Sequence, residues 1–445
     1  MFWGRRFFTA ATMSNTDLIQ PLPVCGAESG WQCFRLENAV FNLKVSFADA
    51  AENFTVYTVF EGVSTINTDT KPEKLSQLIT QLNAKGVNDY RRYETVRNYL
   101  NFKARDRGIP ISGTFELTPL CNLDCKMCYV HLNRVQMQRT QLLPADQWKQ
   151  IMKQAIDEGM MYARLTGGEC LTYPGFRELY LFLRDRGIET VILTNGLLLD
   201  EDMAVFLQNA PPAMIQVSLY GAEENTYQQV TGMRAFSRVM ENIRRIKAAD
   251  LPITIAITPS SYMTDAEQIL RLLDKEGLPF AINASILPPR PETGRGLADA
   301  DMDTYIAILK LRSQLKGREL FREGDPESLP DTGGKPGNPA SGVTCGAGRS
   351  NFAIDWKGNM RPCNNFPCEG ENVLSLGFHE AWKRTNHTAT HYPLPEECED
   401  CAYHGACMHC VAAHAAGANP GHASPAICAM GKRMVTEGLC SLNHK

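Results

Sequence analysis

The chain has 445 residues, of which 44% are apolar, the composition of an ordinary globular protein of roughly two to four domains. A formal net charge of −4 argues against a general binder of nucleic acid or anionic membranes, and no apolar run reaches the roughly 20 residues that a membrane span requires. Fifteen cysteines could signify a secreted disulfide framework, but the chain is large, lacks a secretion signal and clusters its cysteines in CxxC spacings, which favours metal ligation in a reducing cytoplasm.

The first stretch, "MFWGRRFFTAATMS", is basic and aromatic, with an apolar run too short for a secretory signal. It reads as an unstructured lead-in or an over-extended start with Met13 as the true initiator; a transit peptide is the sharper and less favoured reading. Residues 14–110, within an N-terminal domain placed at 1–110, carry no ligand cluster. Strands are predicted at 38–47 and 54–66, where β-branched and aromatic residues are dense. Two helical patterns follow, one with Leu75, Leu78, Ile79 and Leu82 on one stripe, the next carrying Arg91, Arg92, Arg97, Lys103, Arg105 and Arg107. Those basic residues make either a solvated face or a dock for a peptide. Together these elements predict a small α+β module.

From 111 to 322 strands and helices alternate strictly. Strand-like runs are "GTFELTP" (113–119), "YARLTGG" (162–168), "TVILTNG" (190–196), "AMIQVSLYG" (213–221), "PITIAITP" (252–259) and "FAINASIL" (280–287), with amphipathic helices between or after them. Six βα units imply an α/β fold with a parallel sheet packed against helices, a partial TIM-like (β/α)6 barrel two units short of closure. Reactive groups of such sheets stand at the carboxyl ends of the strands. Four motifs obey that rule: Cys121, Cys125 and Cys128 follow the first strand, Gly167-Gly168-Glu169 ends the second, Thr194-Asn195-Gly196 ends the third, and Ser218 lies late in the fourth. All converge on one rim.

Residues 323–341 are rich in Pro and Gly and nearly free of apolar side chains, a linker. Beyond it, residues 342–445 hold nine of the fifteen cysteines. A hairpin, "FAIDWKGNMRP", is predicted to turn at Lys357-Gly358-Asn359.

Three thiolates on a short loop can ligate three corners of a cubic [4Fe–4S] cluster and leave one iron open. Structural zinc is the alternative, but it wants four protein ligands and would need one from far along the chain. CxxxCxxC after the first strand of a (β/α)6 run, with GGE after the second, resembles the radical S-adenosylmethionine (SAM) superfamily. The resemblance covers about 111–320. It implies that Cys121, Cys125 and Cys128 hold the cluster, that the open iron chelates SAM, and that SAM is cleaved to a 5′-deoxyadenosyl radical. It further implies cofactor contacts from Met127, Gly167, Gly168, Glu169, Asn195, Ser218 and Leu287. Glu169 would accept from the methionyl ammonium, with the two glycines letting backbone come close to it, and Ser218 would bond the ribose. Departures from the pattern are Met127 where an aromatic residue is usual, Cys170 in place of proline, and Tyr220 where an acidic residue is common. Cys170 is expected as a buried small hydrophobe.

The tail, with Cys345, Cys363 and then "CEDCAYHGACMHC" before Cys428, resembles a SPASM domain, which implies two auxiliary clusters and so three [4Fe–4S] clusters in all. By order, Cys398, Cys401, Cys407 and Cys428 would ligate the distal one, and Cys345, Cys363 and Cys410 the nearer one. Cys368 is a candidate fourth ligand there, unless that iron stays open. Cys25, Cys33 and Cys440 read as bystanders, and His404, His409 and His414 as hydrogen-bonding surface residues. The chain thus resembles maturases of ribosomally made peptides, whose winged-helix-like N-terminal module binds a precursor's leader. That implies a peptide partner, an oxidative thioether or carbon–carbon cross-link, and an electron donor such as flavodoxin or ferredoxin. The competing readings are an anaerobic sulfatase-maturase-like enzyme, disfavoured by the long N-terminal extension and by Asn364 after Cys363, a non-catalytic iron–sulfur electron carrier, and a multi-zinc module. No residue is assigned as catalytic base.

Overall fold

A computed structural model describes residues 104–105, 107–130, 132–283, 286, 302–316, 343, 345–399, 401–403, 410–417, 419 and 421–439, together with the backbone of five strands near the N-terminus. Those strands, β1 (Ile19–Pro21), β2 (Trp31–Leu36), β3 (Ala39–Phe47), β4 (Phe54–Tyr57) and β5 (Thr65–Ile66), form an antiparallel meander in chain order. The predicted run 38–47 corresponds to β3, whereas the run 54–66, predicted as one strand, contains two, β4 and β5, which pair antiparallel with each other. The two predicted helices that follow fall almost wholly outside the described residues, as does the linker 323–341.

The second sheet carries the predicted alternation. Strands β6 (Ser112–Glu116), β7 (Tyr162–Thr166), β8 (Glu189–Thr194), β9 (Met214–Ser218), β10 (Ile253–Ile257) and β11 (Phe280–Ile282) pair in parallel, each with its sequence neighbour. The intervening helices include Ala145–Asp157, Phe176–Arg184, Glu201–Asn209, Phe236–Ala248 and Ala266–Lys275, each burying an apolar stripe. Among the described residues β11 pairs with β10 alone, so the sheet is incompletely closed.

The other edge is covered by the C-terminal segment. Strand β12 (Asn351–Ile354) adds in parallel to β6, and β13 (Asn359–Arg361) and β14 (Glu371–Asn372) continue antiparallel, giving a nine-stranded sheet. The predicted hairpin therefore exists, but it extends the barrel's own sheet. Asp355 closes its turn by accepting from the backbone N–H of Lys357 (2.9 Å) and Asn359 (3.0 Å), with Gly358 at φ +83°.

Aromatic packing explains why β12 docks there. Phe352 on β12 meets Phe115 on β6 edge-on at 5.9 Å, and also Phe378 at 5.1 Å and Trp382 at 6.2 Å on the helix Phe378–Thr390. A Cβ on Gly113 would stand 2.5 Å from the Phe352 ring, so only glycine at this place in β6 admits it. The Trp382 indole N–H reaches the Gly108 carbonyl at 2.8 Å, and Gln154 caps the helix by accepting from Phe378 N–H at 2.8 Å. A second apolar cluster joins helix Met302–Lys316 to the tail helices Val411–Gly417 and Pro425–Thr436 through Ile306, Leu309, Ala413, Ile427, Met430 and Met434. Phe352 is 1% exposed, so Phe352→Ala is expected to cost about 3–5 kcal/mol. The check is a lowered midpoint of chemical unfolding together with faster proteolysis around β12.

Candidate active site at the carboxyl rim of the sheet

The four sequence motifs lie at the carboxyl ends of β6 to β9, and Glu169 is the knot that joins three of them. It follows β7, is 1% exposed, and both of its oxygens are occupied. Oε1 accepts from Leu171 N–H at 3.0 Å and from the Thr194 hydroxyl at 2.8 Å, and Oε2 accepts from Asn195 N–H at 2.7 Å. Burial pushes its carboxyl above the usual range while these donors pull it back. Asn195, itself 6% exposed, donates through Nδ2 to Asn122 Oδ1 at 2.6 Å and toward Cys121 Sγ at 3.8 Å. The motif residues after β7 and β8 are thereby tied to the cysteine loop after β6.

The paired glycines make that approach possible. Gly167 sits at φ +144°, and a Cβ there would lie 2.2 Å from the Thr118 carbonyl oxygen; one on Gly168 would lie 2.4 Å from that of Leu120. Gly168 N–H donates to Thr118 O at 2.6 Å and Glu169 N–H to Leu120 O at 2.9 Å. In this structure the close backbone approach allowed by the glycines is to the segment that leads into Cys121.

The loop itself is pinned from β9's side as well, by Asp124 N–H to Thr231 O and Lys126 N–H to Val230 O, both at 2.9 Å. Its three thiols are half-buried. Burial, the largest influence, pushes Cys121 up to about 12, Cys128 upward and Cys125 well above the ordinary value. Each sulfur also faces a donor that favours its charged form: Leu123 N–H at 3.4 Å for Cys121, Tyr220 for Cys125 and the Val130 backbone for Cys128. A desolvated sulfur that still faces a hydrogen-bond donor suits a thiolate neutralised by bound iron. Among the described residues no group of three His, Cys, Asp or Glu side chains is gathered tightly enough for a single metal ion. A cubic cluster makes a different demand, because each thiolate goes to a separate iron.

Other predicted residues are placed as follows. Met127 is 9% exposed and belongs to the main core. Ser218 ends β9 and bonds Tyr220. Cys170 is fully buried with its thiol on the Leu193 carbonyl at 3.3 Å. Leu287, Cys407, His404, His409, Cys25 and Cys440 lie outside the described residues, and Cys33 is described only as backbone of β2. His414 corrects an expectation: it is 4% exposed, and its Nδ1 accepts from Ser424 N–H at 3.0 Å. The cause is that helix Val411–Gly417 turns this face toward the last helix rather than toward water.

The C-terminal cysteines separate into two neighbourhoods. Burial raises Cys363 to about 12, with further upward pressure from Cys410, Cys345 and Cys368. Cys398 is raised by burial and then by Cys428 and Cys401. The loop bearing Cys363 and Cys368 is clipped to the hairpin by Arg361, whose Nε donates to the carbonyls of Cys368 (3.0 Å) and Glu369 (3.2 Å), while its guanidinium faces Asp355 at 3.4 Å.

Sequence reading missed one group altogether. Glu116, the last residue of β6, is 0% exposed and accepts from the Tyr129 hydroxyl at 2.9 Å and from Asn364 Nδ2 at 2.6 Å. The available signal was the single charged residue in the strand-like run 113–119.

Residues 115–280 match the model of the radical SAM superfamily. Over that stretch the chain is similar to radical SAM enzymes. Among curated proteins it is 29% identical over 206 residues to the sporulation killing factor maturation protein SkfB of Bacillus subtilis, covering 46% of this chain and 49% of SkfB, about half its length. It is 28% identical to the AdoMet-dependent heme synthase of Methanosarcina barkeri (66% of this chain, 89% of the relative), and 27% identical to the PqqA peptide cyclase of Bradyrhizobium diazoefficiens (63% and 72%). Among solved structures, Streptococcus suis SuiB bound to precursor peptide SuiA superposes with a TM-score of 0.59 at 16% identity, over 94% of this chain and 99% of that one. At that identity the likeness is one of fold.

The raised thiols give a pH dependence for the metal-free protein. Unfolded cysteines ionise from the ordinary value of 9.0, whereas folded Cys121 and Cys363 keep their protons to about 12. The unfolded state therefore binds fewer protons in that window, and stability is lost as pH rises through it. The unfolding midpoint of metal-free protein is expected to fall from pH 9 upward, more steeply than that of the iron-loaded protein; a flat or rising midpoint would contradict the burial of these thiols.

Proposed function

We propose that this protein is a radical SAM maturase that forms an oxidative cross-link, a thioether or carbon–carbon bond, in a ribosomally made peptide. The observation that carries the reading is the convergence of the Cys121–Cys128 loop, Glu169 and Asn195 on one rim of an incompletely closed parallel sheet, in a chain whose C-terminal cysteines fall into two further groups. Two of the relatives, SkfB and the PqqA cyclase, are named for work on a peptide or a killing factor, and SuiB was solved with a precursor peptide. The heme synthase shows that the superfamily also acts on non-peptide substrates.

In this reading Cys121, Cys125 and Cys128 hold a [4Fe–4S] cluster with one open iron, and SAM lies over the rim near Glu169, Asn195 and Ser218. Bound together, cluster and SAM supply a 5′-deoxyadenosyl radical that takes a hydrogen atom from the peptide. The chain's own residues do the rest. Glu169 fixes the spacing between the loops after β7 and β8 and the cysteine loop. Its second lone pair on Oε2 is the acceptor available to an ammonium, and Tyr220 donates toward Cys125. The groups Cys345, Cys363 and Cys410 with Cys368, and Cys398, Cys401 and Cys428 with Cys407, hold two auxiliary clusters able to carry away the second electron of an oxidation. Residues 1–110 form a winged-helix-like leader-binding module. Its meander has an edge strand to which a peptide can add by backbone hydrogen bonds. Residues 111–322 are the catalytic barrel, 323–341 a linker and 342–445 the cluster-bearing extension. The partners are the precursor peptide and a small electron donor such as flavodoxin or ferredoxin, in the cytoplasm. Among the described residues no helix is long and apolar enough to cross a membrane.

The test uses anaerobically reconstituted protein, SAM, a strong reductant and short cysteine-bearing peptides encoded beside its gene. The expected outcome is loss of a pair of hydrogen atoms from one peptide, with deuterium from that peptide appearing in 5′-deoxyadenosine. Cys345→Ala should lower product by at least about tenfold while SAM cleavage persists. Cleavage of SAM without any peptide change across the set would overturn the peptide reading and favour a small-molecule substrate.

A further inference from the structure

Glu116 stands between the two halves of the molecule. It is the last residue of β6, fully buried at the carboxyl rim, and one of its oxygens, Oε1, takes two hydrogen bonds. One comes from Tyr129, the residue after Cys128, at 2.9 Å; the other comes from Asn364, the residue after Cys363, at 2.6 Å. The two donors are themselves 3.5 Å apart. A single carboxylate oxygen thus joins the loop of the first cysteine set to the loop of the nearer C-terminal set, across 248 residues of sequence.

We propose that Glu116 is a positioning residue that locks these two loops together and, through its fixed charge, holds down the reduction potential of the cluster carried by Cys121, Cys125 and Cys128. The inference rests on the cluster reading above. A neutral glutamine oxygen could accept both hydrogen bonds and would cost less to bury, so the charge itself needs a use. The carboxylate stands against the cysteine loop, bonded to the hydroxyl of Tyr129, the residue directly after Cys128, at 2.9 Å. Inside a protein, where charges are poorly screened, adding an electron next to a fixed negative charge is disfavoured. Local charge and hydrogen bonding are among the factors that set cluster potentials. Tyr129 and Asn364 then serve as neutral donors that hold the carboxylate in place and partly disperse its charge.

The experiment is a redox titration, followed by electron paramagnetic resonance, of anaerobically reconstituted full-length wild type, Glu116→Gln and Glu116→Asp. The signal to follow is the one that changes on adding SAM. Glu116→Gln, with wild-type iron and sulfide content, is expected to raise the reduced-to-oxidised ratio at a fixed poise by about tenfold, which is about 59 mV for a one-electron couple. Glu116→Asp, which keeps the charge and shortens the reach, should remain near the wild-type potential. An unshifted Glu116→Gln, or a Glu116→Asp shifted as far as the glutamine variant, would overturn the proposal. If Glu116→Gln does not take up iron, Tyr129→Phe decides: loss of the phenol donor leaves the charge less dispersed and should lower the ratio, and an unchanged or higher ratio overturns the proposal. Wild type that takes up no iron would overturn the cluster reading and this inference with it. A loaded wild type with an unshifted glutamine variant overturns this inference alone.

Discussion

The rim depends on one buried carboxylate. Glu169 has lost water, and an unpaired charge in such a place would be costly. It is tolerated because Leu171 N–H, Asn195 N–H and the Thr194 hydroxyl converge on it. Those donors belong to the segments after β7 and β8, so satisfying the charge fixes the distance between two strand ends. Asn195 carries the constraint one step further, to Asn122 beside the first cysteine. The glycines matter for the same reason, because a side chain on either would strike the Thr118–Leu120 backbone and push the cysteine loop away.

Strand β6 is the second organising feature. An open parallel sheet leaves an edge with unpaired backbone groups, which must be covered. Here β12 covers it in parallel register, from Asn351 opposite Ser112 to Ile354 opposite Phe115, and the Phe115–Phe352 contact seals the seam. This edge pairing does more than protect the barrel. It brings the loop after β13, with Cys363 and Asn364, to the same end of β6 that launches the first cysteine loop. The hydrogen bonds among Glu116, Tyr129 and Asn364 follow from that geometry.

Much of this was legible in the sequence where periodicity and spacing speak directly. Four of the six parallel strands fall inside the predicted runs, and β6 and β8 begin one residue earlier than theirs, because alternating β-branched stretches such as "TVILT" and "ITIAI" admit few other conformations. The hairpin at Lys357-Gly358 was visible because a glycine at positive φ is what its turn requires. The sequence offered no means of seeing that this hairpin joins the barrel's sheet, since parallel pairing between residues some 240 apart is a tertiary event without a local signature. For the same reason Glu116 was passed over. Its importance comes from Tyr129 and Asn364, and only the fold makes those neighbours. His414 was misjudged because a histidine's exposure depends on which face its helix turns inward. Glu169 was seen as a ligand contact, whereas its commitment to backbone donors appears only in three dimensions.

Everything above requires that the rim do radical chemistry with its first three cysteines. The direct measurement is reductant-dependent formation of 5′-deoxyadenosine from SAM, with no peptide added, by iron-loaded wild type and by Cys121→Ala, Cys125→Ala and Cys128→Ala. The account predicts turnover in the wild type and its loss in all three variants, with iron remaining in the C-terminal groups. Fully iron-loaded wild type that leaves SAM intact, or a variant of the triplet that cleaves it as well as wild type, would contradict it.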